Sequence, residues 1–279
     1  VTGYLVYDVF TDTPFTGNQL AVFPDAAAIP DATLMPICRE FNFSEVTFVY
    51  PPADPKHTAR VRIFAPGREM AFAGHPTIGT ATALFDLGYG ADQILELGIG
   101  PLPCTVGPHG ASFKNDAPLS VTSEPDPALV AACLSLDVDA ISLDRHPPVV
   151  ASVGNPFVLV ELATPSALAT AKEQVSAMQD VLDSHPDSLD CSIYCYCRDS
   201  DHVEARMFGR LGGIPEDPAT GSAAAALGAY FAHLDGEADI RITQGTAMGR
   251  PSSIGVRANG QSVTISGTAV RVMEGKLTF

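Results

Sequence analysis

Gly74-His75-Pro76-Thr77-Ile78-Gly79-Thr80-Ala81 and Glu216-Asp217-Pro218-Ala219-Thr220-Gly221-Ser222-Ala223 share one pattern. Each reads polar residue, Pro, two residues, Gly, Ser/Thr, Ala, and runs into an Ala-rich apolar segment. Pro at a first helical position, after a side chain able to cap, is a helix-start signal. The spacing predicts two helix N-termini 142 positions apart in a chain of 279 residues. Two further landmarks recur in the same order. Gly154-Asn155 follows Gly17-Asn18 by 137 positions, and Arg206-Met207-Phe208 follows Arg62-Ile63-Phe64 by 144. Such near-constant offsets predict an internal duplication, with two similar α+β halves and an active cleft between them.

Composition narrows the partners. Hydrophobic residues make up 46%, enough for a sizeable core, while the net charge is −16. An acidic balance argues against nucleic-acid or anionic-membrane partners, which need a basic footprint. A small anion is still admissible, because a helix end and a few cations act at short range. No apolar run reaches the roughly 18 residues that span a bilayer. No signal-peptide pattern is visible at Val1, and the six cysteines follow no disulfide framework, so the expected compartment is the reducing cytoplasm.

Along the chain, residues 4–10, Gln19 to Phe23, Glu45 to Tyr50 and Thr58 to Phe64 read as strands. Leu34, Ile37, Cys38 and Phe41 recur at helical spacing, with Pro36 expected to delay the helix until about Met35. Residues 65–73 read as a loop, followed by a helix from Pro76 to about Gly88. The turn-rich stretch 110–128 is expected to hold the junction, giving domains 1–118 and 119–279 with the last strand able to pair back with the first domain. Cys191, Ile193, Cys195 and Cys197 alternate, which predicts a strand with its thiols on one buried face rather than a metal site.

Familiar chemical motifs are missing. There is no Walker A lysine, no G-x-G-x-x-G after a strand, no G-x-S-x-G elbow and no histidine set for a metal. What remains is the pair of helix starts, each offering unpaired backbone N–H groups and about half a positive charge. Two such ends can bind a carboxylate and stabilise the anion of a carbon acid. By the 142-residue offset, His75 and Asp217 occupy equivalent places. Asp217 reads either as a site residue or as a helix cap, whereas His is a poor cap and points to a site. Thr80 and Ser222 either donate to a substrate oxygen or bond back to their own helices. Glu45, at a strand mouth, is the remaining acid/base candidate.

The segments Asp8 to Phe23, Arg39 to Val49, Arg62 to Ala81 and Glu216 to Ala226 together resemble the PhzF-like family, the phenazine-biosynthesis isomerases within the diaminopimelate epimerase fold. Gly249-Arg250-Pro251-Ser252 and 267–277 also fit, so the resemblance runs the full length. It implies two pseudo-symmetric domains, each a curled mixed sheet around a central helix. It further implies cofactor-free proton transfer on a small carboxylate, no metal, and a homodimer. Glu45, His75 and Asp217 take the catalytic places. Asn18, Ser44, Gly74, Thr220, Gly221 and Ser222 take the substrate-binding ones. Two positions depart from the family pattern: Gln19 stands where Pro is expected after Asn18, and Arg210 where Pro is expected after Met207-Phe208.

Epimerases of this fold carry a cysteine at each helix start, and neither stretch here contains one, which argues against a two-thiol racemase. By offset, the counterpart of Glu45 falls near Leu189 or Asp190, leaving a second carboxylate open. The preferred mechanism is a single carboxylate that takes a proton from one carbon and returns it to another, which needs a dry pocket to raise the Glu45 pKa. The competing readings are an amino-acid epimerase using Glu45 with Asp190 or Asp217, and a non-catalytic binding protein.

Overall fold

The computed structural model describes residues 2–278, which divide into two compact units, 2–115 with 264–278, and 116–263. In the first unit β1 (Thr2–Val9), rich in aromatic and branched residues, pairs antiparallel with β2 (Asn18–Phe23). Its other edge pairs with the closing strand Ala269–Leu277, from Thr2↔Leu277 to Val9↔Ala269. Helix α1 (Asp31–Phe41) crosses over to β3 (Glu45–Tyr50), which lies parallel to β2 with Leu20 opposite Glu45. Next come β4 (Ala59–Ala65), antiparallel to β3, and the short β5 (Arg68–Met70), antiparallel to β4. Helix α2 (Gly74–Asp86) follows. The strands β6 (Asp92–Leu97), β7 (Gly100–Gly107) and β8 (Gly110–Asn115) complete the unit, with β6 parallel to β4.

Every residue of α2 from Gly74 to Leu84 is buried. It packs against β1, β2, β3, β7 and β8, so the sheet curls around it. A helix enclosed on all sides needs small residues where the sheet comes close. Gly79 is such a place: a Cβ there would lie 2.5 Å from Leu20 Cδ2 and 2.7 Å from Val9 Cγ2. Helix α1 lies on β3 and β4, where Leu34, Ile37 and Cys38 join Phe23, Phe48 and Phe64 in one core. This helix starts at Asp31, not near Met35, so Pro36 sits inside it. An interior Pro costs about 3 kcal/mol, whereas burying each large apolar side chain of that face contributes roughly 1.5–3 kcal/mol. Packing wins. The stretch expected as a loop after β4 contains β5, because Arg62 and Glu69 clamp the two strands together.

The second unit repeats the plan. After β9 (Ser120–Ser123) and α3 (Pro127–Cys133), β10 (Val149–Ser152) pairs antiparallel with β11 (Pro156–Glu161). Helices α4 (Pro165–Thr170) and α5 (Val175–Ser184) lead to β12 (Ile193–Asp199), parallel to β11. Then β13 (His202–Gly209) and β14 (Ile214–Asp217) form antiparallel neighbours, as β4 and β5 do. Helix α6 (Gly221–Asp235) packs against β10, β11, β15 (Ala238–Gln244) and β16 (Ser252–Ala258). Again β15 is parallel to β13 and antiparallel to β16. The segment β17 (Val263–Gly267) leads into the closing strand, now β18. Each unit is therefore an α+β body with a curled mixed sheet around one helix.

Cys195 and Cys197 alternate on β12, but Cys191 lies before the strand, at a φ of 51°. All three are buried in one apolar core with Cys133. Among the described residues no group of three metal-ligating side chains gathers, and no helix is long and apolar enough to cross a membrane.

Candidate active site

In the first unit, four of the expected site residues meet. Asn18 opens β2, Glu45 opens β3 beside it, Ser44 precedes Glu45, and His75 lies in the first turn of α2. The Ser44 hydroxyl donates to Asn18 Oδ1 at 3.1 Å, which turns the amide N–H toward His75 Nδ1 at 3.3 Å. In the tautomer that accepts this bond at Nδ1, the proton of the neutral imidazole resides on Nε2, whereas the other tautomer turns an Nδ1–H toward the Gln19 backbone. Burial holds that imidazole neutral, its pKa pushed down to about 3. Nε2 itself is buried with no hydrogen-bond partner among the described residues. Glu45, 8% exposed, brings Oε2 to 3.6 Å from His75 Nδ1. That is too long for a hydrogen bond, and the ring carries no charge, so the two are neighbours rather than an ion pair. Gly74 begins the helix, where backbone N–H groups have no acceptor within the helix.

In the second unit, Asp217 ends β14 and is buried. It accepts a 2.5 Å hydrogen bond from the Thr220 hydroxyl. Gln244, at the end of β15, completes the network. It donates to the Asp217 carbonyl at 2.7 Å and to Thr220 Oγ1 at 2.9 Å, and accepts from the Thr220 N–H at 3.2 Å and the Tyr194 hydroxyl at 3.1 Å. These bonds keep residues 218–220 out of the helix, so α6 begins only at Gly221, with Ser222 half-buried in its first turn.

Several expectations are corrected here. The helices do not start at the prolines: α2 starts two residues before Pro76 and α6 three after Pro218. Their capping positions are Ala73 and Thr220, neither with a side-chain cap, so neither His75 nor Asp217 is a cap. Aligned by helix start, Gly74 matches Gly221 and His75 matches Ser222, not Asp217. The sheet agrees. Val46 lies opposite Phe64 as Ile193 lies opposite Phe208, which makes Ser192 the counterpart of Glu45. Asp190, the expected neighbourhood, instead binds Ser192 through its backbone N–H at 3.2 Å and its hydroxyl at 2.7 Å. Thr80 is fully buried and donates to Thr47 Oγ1 on β3 at 2.9 Å, away from any substrate role.

Gln244 and Tyr194 were not anticipated. For Gln244 a signal existed: Ile240, Ile242 and Gln244 alternate inward, putting a polar side chain at a core position that demands partners. Tyr194 offered no comparable cue.

The duplicated sheet-and-helix units are those of the epimerase-like fold, and a buried carboxylate beside a neutral imidazole at a helix N-terminus fits a carbon-acid enzyme. The comparisons agree. A family model described as phenazine biosynthesis-like protein matches residues 7–275. The chain is 39% identical to an uncharacterized isomerase of Mesorhizobium japonicum, covering 98% of each chain. It is 32% identical to the trans-2,3-dihydro-3-hydroxyanthranilate isomerase of Pseudomonas aeruginosa, again over 98% of each. A Bacillus anthracis crystal structure of the PhzF family superposes with a TM-score of 0.89 at 27% identity, covering 100% of this chain and 99% of that one. The chain belongs to the phenazine biosynthesis-like (PhzF) family. It is a cofactor-independent isomerase or epimerase acting on a small carboxylate.

Proposed function

We propose that Glu45 removes a proton from one carbon of a small, cyclic, amino-acid-like carboxylate and returns it to another, shifting a double bond. The substrate type is trans-2,3-dihydro-3-hydroxyanthranilate, the compound named for the Pseudomonas aeruginosa relative. The observation that carries this reading is the pairing of Glu45 with a buried His75 held neutral, its pKa pushed down to about 3. Burial makes this imidazole a poor proton acceptor, and Glu45 is the other acid/base group of the cluster.

His75 then serves as a donor. With its proton on Nε2, the ring suits a substrate oxygen on which negative charge grows as the carbon loses its proton. The N–H groups at Gly74 and the helix end suit the carboxylate, a contribution of up to ~2 kcal/mol in buried geometry. Asn18 and Ser44 fix the imidazole. We assign Asp217, Thr220, Gly221 and Ser222 to the same turnover on the strength of the family resemblance. The sheet counterpart of Glu45 is a serine, which counts against a symmetric two-carboxylate epimerase.

The reaction is tested in D₂O by NMR, with the dihydro-hydroxyanthranilate and a panel of amino acids. A moved double bond with deuterium at the receiving carbon is the expected outcome. Deuterium at an inverted α-carbon would replace isomerisation by epimerisation. Tight binding of one compound with no exchange in any would refute catalysis.

A further inference from the structure

Between β1 and β2 the chain makes an eight-residue excursion, Phe10 to Gly17. Most antiparallel neighbours are joined by two to five residues. Two aromatic residues in this loop, Phe10 and Phe15, take φ values of 64° and 70°. That left-handed region is disfavoured for side chains of such size. Packing accounts for Phe10, whose ring is buried against Gly267 and whose N–H donates to Thr268 O at 2.7 Å. Packing does not account for Phe15. At 67% exposure it is the most exposed large apolar side chain among the described residues.

What holds Phe15 is polar. The carboxylate of Asp8, itself buried, accepts the Phe15 N–H at 2.6 Å. Thr11 Oγ1 and Thr16 Oγ1 share a 2.5 Å hydrogen bond, and the Thr16 hydroxyl also donates to Thr13 O at 2.7 Å. Gly17, at φ 64°, closes the loop where any Cβ would collide with the Val9 carbonyl. Asn18, the residue that orients His75, comes next. A loop fixed this firmly around a strained, solvent-facing ring is organised to present that ring.

We propose that Phe15 is a substrate-contacting residue, its ring forming an apolar wall for the face of a flat or unsaturated ring, with Asp8 as its positioning residue. Three peptide units separate Phe15 from Asn18 and span at most ~11 Å, so the ring is within reach of a substrate held at Asn18 and His75. This rests on the reading that Glu45 acts on a cyclic carboxylate.

The probe is anthranilate, a flat aromatic amino carboxylate, titrated by NMR into the wild type and Phe15→Ala, Phe15→Gly and Phe15→Leu. The Ala and Gly variants are expected to bind about tenfold more weakly, and the Leu variant to fall between. Gly accepts a left-handed φ without strain, so Phe15→Gly should melt no lower than Phe15→Ala while binding equally poorly. That separates a lost contact from a damaged loop. Wild-type affinity in the Ala and Gly variants, or no anthranilate binding by the wild type, overturns the proposal. Failure of the Glu45 reading looks different: Glu45→Gln would turn over the dihydro-hydroxyanthranilate normally, and Phe15-dependent binding of anthranilate would still stand.

Discussion

His75→Gln removes a buried imidazole whose neutrality underlies the assignment of roles, and its effect on acid stability can be worked out. The folded-state pKa is pushed down to about 3 by burial, against about 6.5 in the unfolded chain. The group is therefore neutral in the fold, and the unfolded state binds the extra proton. Its contribution is fully present above pH 6.5 and is lost as the pH falls toward 3. Between pH 7.5 and pH 5 linkage gives a loss of about 2 kcal/mol from a group shifted to about 3. His146, also pushed down by burial, is present in both proteins and cancels in the comparison. Urea denaturation of wild type and His75→Gln across that range should show wild type losing about 2 kcal/mol more. A difference below about 0.5 kcal/mol, or an NMR titration placing the His75 ring above pH 5.5, would refute the neutral-donor argument.

Thr220→Val deletes the hydroxyl shared by Asp217 and Gln244, leaving both buried groups short of a partner; a loss of about 1–3 kcal/mol is expected in chemical denaturation. Gly79→Ala should destabilise by about 1–3 kcal/mol in the same assay, although Gly→Ala in an open helix gains about 1 kcal/mol, because the new methyl meets Leu20 and Val9. The two bidentate forks should differ: Arg206→Lys should lower the melting temperature more than Arg62→Lys. Arg206 is 12% exposed against 26% for Arg62, and it also donates to the Leu168 and Ala171 carbonyls.

The first-unit strands were legible because branched and aromatic runs announce them, and Glu45 to Tyr50 was read to the residue. The duplication was legible too, since the same parallel and antiparallel pairings recur. The two helix starts were not. Pro-x-x-Gly looks alike in both stretches, yet His75 and Pro76 fit inside a first turn that needs no N–H acceptors, while Gln244 keeps residues 218–220 out of the helix. A long-range side chain decided a local boundary. A different cause moved the counterpart of Glu45 to Ser192: insertions before β12 spoil any constant offset. Asn18 and Ser44 gained their part only when the structure joined them to His75.

Deuterium transfer by Glu45→Gln tests the account most directly. The variant keeps the shape of the side chain and removes its basicity. Given the dihydro-hydroxyanthranilate in D₂O, wild type should move the double bond and wash deuterium into the receiving carbon. Glu45→Gln should still bind the compound, with exchange and isomerisation reduced by about 10²–10⁴ or more. Exchange at the wild-type rate in that variant would contradict Glu45 as the proton carrier.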